Sequence, residues 1–309
     1  MTRGLIVGTR PSQLARRQTE LVVHALRSAW PELQADVKVY TTRGDRQLDR
    51  PLPEIGGKGL FTAEIERALH QREIDVAVHS LKDLPIADSD GLTIGAVPGR
   101  EAAHDVLVSR HQLPLEALPA SPCIGTSSPR RCAQIMAARP DARVVTLRGN
   151  LDTRLRKAAS AEYDAVVLAA AGIIRMGLEW QVTQHIPFQV MLPAPGQGAL
   201  AIQCRADDES TLALLRPLHH ATTWAAVTAE RAFLSGLGGG CSAPVAAYAE
   251  PDGSGSRCEP SLRLQGLVAS LDGQQMVRVA AEGSSEESEQ LGFRLAAEAL
   301  ARGARALLR

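Results

Sequence analysis

Short apolar runs rich in β-branched residues recur along the chain, separated by stretches whose apolar positions fall at helical spacing. This is the pattern of βαβ units around a mainly parallel sheet. Strands are predicted over 5–8, 36–40, 74–78, 92–97, 105–108, 123–125, 143–147, 165–168 and 199–204. Between them, Leu14, Gln18, Leu21, Val22, Ala25 and Leu26 predict a helix over 12–27, and Phe61, Ile65, Ala68 and Leu69 predict one over 60–72. Beyond Thr222 the pattern changes to a helix through Glu230 and Phe233, strands near 245–249, 262–269 and 276–281, and a closing helix over 286–302.

The pattern also repeats. Ile6-Val7-Gly8-Thr9-Arg10-Pro11-Ser12 and Cys123-Ile124-Gly125-Thr126-Ser127-Ser128-Pro129-Arg130 each run an apolar strand through Gly-Thr into a polar turn and a helix. Ile74-Asp75-Val76-Ala77-Val78 is echoed by Tyr163-Asp164-Ala165-Val166-Val167. Pro98-Gly99 and Pro193-Ala194-Pro195-Gly196 bracket the second unit as two chain crossings. The expected organisation is two similar doubly wound α/β domains, 1–98 with 199–216 and 104–192, followed by a small α+β domain over 221–309.

Composition narrows the function. No apolar run reaches the roughly 18 residues of a membrane helix, and the first residues lead straight into a strand without a signal-peptide layout. A cytoplasmic protein with no membrane partner is expected. Five cysteines without pairing or metal-ligand spacing fit reduced thiols. The net charge of zero argues against nucleic acid as a partner. Yet of 34 basic residues only Lys38, Lys58, Lys82 and Lys157 are lysines, and arginine is the side chain best shaped to grip carboxylates. Arg130, Arg131, Arg139, Arg143, Arg148, Arg154, Arg156 and Lys157 face only Asp141 and Asp152 within their segment. That segment reads as an anion site in a neutral protein.

In doubly wound domains ligands bind beyond the carboxyl ends of the strands. Thr9, Arg10 and Ser12, Ser80, Lys82 and Asp83, Thr126, Ser127, Ser128, Arg130 and Arg131, and Arg148 fall there. Cys241 follows three glycines and precedes Ser242-Ala243-Pro244, a loop that leaves a thiol open to approach. Taken alone, Cys241 reads rather as a small half-buried residue of a tight turn, and Lys82-Asp83 as a solvated turn before Pro85. Gly56-Gly57-Lys58-Gly59 is not a phosphate loop, because Leu52 and Gly59 replace its first glycine and its Ser or Thr. His104, His219 and His220 lack partners at metal spacing, so no metal is expected.

Seven motifs in order resemble the porphobilinogen deaminase (hydroxymethylbilane synthase) family over essentially the whole chain. They are Gly8-Thr9-Arg10-Pro11-Ser12, Gly56-Gly57-Lys58-Gly59-Leu60-Phe61, Ala77-Val78-His79-Ser80-Leu81-Lys82-Asp83-Leu84-Pro85, Gly125-Thr126-Ser127-Ser128-Pro129-Arg130-Arg131, Leu147-Arg148-Gly149-Asn150, Pro195-Gly196-Gln197-Gly198 and Gly239-Gly240-Cys241. The resemblance implies an α/β fold with two domains of periplasmic-binding-protein type II and a small α+β C-terminal domain. It implies a transferase that joins four porphobilinogen molecules onto a dipyrromethane primer, releases ammonia and then hydroxymethylbilane, and acts as a cytoplasmic monomer. It places the primer on Cys241 by a thioether and the catalytic carboxylate at Asp83. Arg10, Ser12, Lys58, Phe61, Ser80, Lys82, Thr126, Ser127, Ser128, Arg130, Arg131, Arg148, Gly149, Arg154, Arg175 and Gln197 are then expected to hold primer and substrate. Arg100-Glu101-Ala102-Ala103-His104-Asp105 departs from the family's usual Arg-Glu-Asp-Pro-Arg-Asp at the first crossing. Two rival readings are a non-catalytic two-domain protein that binds small carboxylate anions and, more weakly, an acyl transferase with Cys241 as nucleophile. The second lacks a histidine in a recognisable Cys-His arrangement.

Overall fold

The computed structural model describes residues 4–46, 59–86, 89–238, 244–252 and 260–308. Lys58, Gly239, Gly240 and Cys241 lie outside these. The chain divides into two compact units, one of Met1–Glu101 with Ala199–Trp224 and one of Ala102–Gly198 with Ala225–Arg309.

In the first unit, β1 (Leu5–Thr9), β2 (Ala35–Val39), β3 (Val76–Ser80), β4 (Leu92–Ala96) and β10 (Leu200–Arg205) form one sheet in the order β2-β1-β3-β10-β4. Strands β2, β1 and β3 run parallel, and β10 is antiparallel to both its neighbours. Alternation along the strands sends Val76, Val78, Ile202 and Cys204 to one face. There they meet Val22, Val23 and Leu26 of the helix Gln13–Ala29 and Leu215 of the helix Glu209–Leu215. On the opposite face Ala77 packs with Ile65, Ala68 and Leu69 of the helix Ala63–His70. A sheet covered on both faces explains why its strands read as nearly continuous apolar runs.

The second unit repeats this plan with β5 (Asp105–Ser109), β6 (Cys123–Gly125), β7 (Arg143–Val145), β8 (Ala165–Ala169) and β9 (Gln184–His185) in the order β7-β6-β8-β5-β9. Again three strands are parallel, and the fourth, β5, runs antiparallel. Val106 and Val108 face Leu155 and Ala158 of the helix Leu151–Ala158, while Leu107 faces Ile135 of the helix Pro129–Ala138. The shared order, with one antiparallel strand in fourth place, is the periplasmic-binding-protein type II plan.

The same unit also contains β11 (Val245–Pro251), β12 (Ser261–Ala269) and β13 (Met276–Ser284), an antiparallel sheet. One face packs Val245, Ala247, Leu264 and Val268 on Phe233 of the helix Ala221–Gly236 and on Leu291 and Leu295 of the helix Ser288–Ala301. The other face sets Ala246, Leu267 and Ala269 against Ala133 and Leu192. At the β12–β13 turn Gly273 has φ +70°, and a Cβ there would run into the Ala133 carbonyl. Among the described residues no helix is long and apolar enough to cross a membrane. Nor do three or more His, Cys, Asp or Glu gather there to hold a metal.

The atypical crossing segment is anchored at both ends. The Arg100 N–H donates to Thr223 Oγ1 at 3.2 Å, and the His104 ring meets His185 of β9, Nε2 to Nδ1.

Candidate active site

In the first unit the expected residues gather at the carboxyl ends of the parallel strands β1 and β3. Ser12 caps the helix Gln13–Ala29, its Oγ accepting from the Ala15 N–H at 3.3 Å. Arg10 forks onto Asp45 through Nε and Nη2 and stacks its guanidinium 4.3 Å from the centre of the Phe61 ring. Burial alone would push the Asp45 pKa up. The hydrogen bond and charge of Arg10, with bonds from Thr42, outweigh it and hold the carboxyl below its usual range.

Ser80 ends β3, and Gln18 Nε2 donates to its Oγ at 3.1 Å, tying strand end to helix. Lys82 and Asp83 follow in a single 3₁₀ turn, Leu81–Asp83, whose flanking Leu81 and Leu84 are buried. Lys82 is half-buried and Asp83 is exposed. Two buried leucines thus fix a turn that presents a carboxylate outward. Directly before it, His79 is buried. Its pKa is lowered to about 4, mainly by burial, with Gln203 alongside opposing this and the Arg10 charge adding to it.

In the second unit the hydroxyls after β6 serve the backbone. Thr126 Oγ1 accepts from the Ser128 N–H, and Ser128 Oγ caps the helix Pro129–Ala138. Ser127 Oγ donates to the Leu147 carbonyl at 2.7 Å and accepts from the Leu147 N–H at 3.1 Å, strapping the turn after β6 to the loop of Arg148. Gly149, at φ +114°, lies so close to Thr153 that a Cβ would meet its Cγ2 at 2.6 Å. Asn150 caps the next helix, and Arg154 Nε donates back to the Gly149 carbonyl at 2.8 Å. Arg148 is half-buried.

Arg130, Arg131 and Gln197 converge on Asp105, which has no exposure. Arg130 Nη1 donates to Oδ2 at 2.7 Å, Arg131 Nε and Nη2 donate to Oδ1 at 3.0 and 2.7 Å, and Gln197 Nε2 donates to the same oxygen at 2.9 Å. The carboxylate would be driven up in pKa by burial, but the two guanidinium charges hold it well below the usual range. Arg130 Nε is buried without a hydrogen-bond partner among the described residues. Arg175 Nη2 donates to the Gly198 carbonyl at 2.7 Å, and the fully buried Glu230 accepts from the N–H groups of Gly196 and Ala249. The turn carrying Gln197 is therefore held from several sides.

Sequence reasoning singled out the arginines but not their organisers Asp105, Asp45, Gln18 and Glu230. One signal for Glu230 was available, since it lies four residues after Ala226 and three before Phe233, on the apolar stripe of its helix. The chemistry offered is that of an anion site. Forked donors lie buried after β6, one of them unpartnered, while an exposed carboxylate stands after β3 in the other unit. Carboxylate-bearing pyrroles such as the dipyrromethane cofactor fit this donor set.

Fold and site describe a protein of two α/β sheets of one plan with buried arginines suited to anionic ligands. Residues 5–213 match the "Porphobilinogen deaminase, dipyromethane cofactor binding domain" family, and residues 224–301 match "Porphobilinogen deaminase, C-terminal domain". The chain is 49% identical to the porphobilinogen deaminase of Brevibacillus brevis over 96% of its own length and 94% of that protein. It is 48% identical to that of Roseiflexus sp. over 100% and 99% of the two chains. Among solved structures, CbnR, a LysR family transcriptional regulator, aligns over 70% of each chain at 13% identity with a TM-score of 0.43, too distant to carry weight. The chain belongs to the porphobilinogen deaminase family. It is a transferase of tetrapyrrole and heme biosynthesis, a hydroxymethylbilane synthase with a dipyrromethane cofactor. This reading displaces the non-catalytic binding protein.

Proposed function

We propose that the chain joins four porphobilinogen molecules head to tail through the following division of roles. Cys241 anchors the dipyrromethane, which supplies when bound the pyrrole on which the product chain grows. Arg130, Arg131, Arg148, Arg154 and Arg175, with Thr126, Ser127, Ser128, Gly149 and Gln197, hold acetate and propionate groups in the second unit. Arg10, Ser12, Lys58, Phe61, Ser80 and Lys82 do so in the first. Asp83 accepts hydrogen bonds from pyrrole N–H groups, steadies positive charge as ammonia leaves, and carries the proton. Hydrolysis then frees the product.

The observation that carries this reading is the buried arginine pair sharing a single carboxylate, with one donor unused. We read three functional domains, 1–98 with 199–216, 104–192 and 221–309, supported by a separate apolar core for each sheet. We also propose a cytoplasmic monomer that takes no nucleic acid. Its unpaired Cys123, Cys132 and Cys204 suit a reducing compartment, and its zero net charge offers nucleic acid little attraction.

Intact mass tests the anchor. Protein made in a host that synthesises porphobilinogen should weigh two pyrrole units more than the polypeptide, and Cys241→Ser should abolish the surplus. A bare mass for the unsubstituted protein would overturn the assignment.

A further inference from the structure

We propose that Asp105 is the positioning residue of the anion site, setting both the direction and the charge of Arg130 and Arg131. The inference rests on the reading that these arginines hold ligand carboxylates. Asp105 opens β5, the strand that enters the second sheet from the chain crossing, and both its oxygens are consumed by the pair and by Gln197.

Each arginine is also held from behind. Arg130 Nη1 donates to the Leu192 carbonyl at 2.7 Å, and Arg131 Nη1 to the Val167 carbonyl at 3.1 Å. The two side chains are 4% and 5% exposed, so their directions are fixed by the fold.

The charges of these three side chains do not cancel. Two guanidinium groups against one carboxylate leave a surplus of one positive charge, and neither arginine has another ion pair among the described residues. A buried surplus charge is costly unless a partner arrives. Arg130 Nε, buried and without a hydrogen-bond partner among the described residues, leaves part of that guanidinium's charge unanswered within the fold. Asp105 thus neutralises one arginine's worth of charge, which allows the pair to be buried side by side, and leaves the remainder for one carboxylate of the ligand. Without it two like charges would repel in a low-dielectric setting and splay apart.

Lengthening the anchor separates positioning from mere charge balance. Asp105→Glu keeps the charge and displaces both forks. It is expected to fold with an unchanged circular dichroism spectrum while the fraction carrying primer, read by intact mass, falls at least threefold. The primed fraction is expected to show a KM for porphobilinogen raised at least tenfold, with kcat within threefold. Asp105→Asn, which raises the surplus charge, is expected to show the same split.

Normal primer content and KM in either folded variant would overturn the proposal. If Arg130→Leu nevertheless loses primer in that case, the reading of the arginines stands and only the role of Asp105 falls. If Arg130→Leu is also normal, the reading of the arginines falls with it. Failure of both Asp105 variants to fold would assign Asp105 to the fold alone, and would equally overturn the proposal.

Discussion

Asp83 stands on an exposed turn, whereas Asp105 has no exposure at all, and the difference separates a group that can meet substrate from one that cannot. Asp83→Asn should keep the primer, because the role proposed for Asp83 is in the release of ammonia and not in holding the primer, and lose about 10²–10⁴-fold in turnover. Intact mass and a steady-state assay of the same preparation check this; turnover within a few-fold of normal would remove Asp83 from its role. A second prediction concerns His79. Its folded-state pKa of about 4 lies below the ordinary 6.5, so between these values the unfolded chain binds more protons than the folded one. Its contribution is complete above pH 6.5 and is lost as the pH falls towards 4, about 3 kcal/mol in all. Denaturant titrations should show this slope in the first unit and show it flattened in His79→Gln. Asp83 was singled out by its motif, whereas Asp105 was read as the first residue of a strand and the last of the atypical crossing segment, with no role in the site. What makes it important is convergence of side chains from 130, 131 and 197, which no local pattern records.

At the scale of elements, strands covered on both faces were legible because burial imposes unbroken apolar runs, as in β5, β8 and β10. The two-residue β9 was not, since so short a strand has no period. The strand expected over 143–147 stops at Val145 because the next residues leave the ladder. Thr146 offers its carbonyl to the Tyr163 hydroxyl, and Leu147 bonds to Ser127. The loop so formed depends on local chemistry. Asn150→Ala removes a helix cap and should cost about 1 kcal/mol. Gly149→Ala should cost at least ~1 kcal/mol, since it combines a positive φ with a clash on Thr153. Thermal melts check both, and equal melting temperatures for Gly149→Ala and the parent would refute the strain.

At the scale of the molecule, the third sheet is joined to the second through Ala133, Leu192, Ala246, Leu267 and Ala269. Punctuation in the sequence suggested separate domains, but this shared apolar face was not legible, because its members are mostly alanines scattered over distant segments. Gly273→Val should drive a side chain into the Ala133 backbone and destabilise the second unit by about 2–4 kcal/mol. Hydrogen exchange should then show protection lost together in β5, β8, β11 and β12 while β1 and β3 keep theirs. Loss confined to β12 and β13 would show that the third sheet unfolds by itself.

The antiparallel strand β10 also has a consequence for biosynthesis. It pairs Leu200 with Ser80, so the edge of β3 has no permanent neighbour on that side until 120 further residues have been translated. At about 5–20 residues per second the nascent chain must wait roughly 6–24 s with that edge open. The strand left waiting is the one that leads into Lys82 and Asp83, so a chain truncated before residue 199 would carry that turn on an unfinished sheet. A pulse of limited proteolysis on stalled ribosomes should find the segment after Ser80 cleavable until β10 has emerged, and protected soon afterwards.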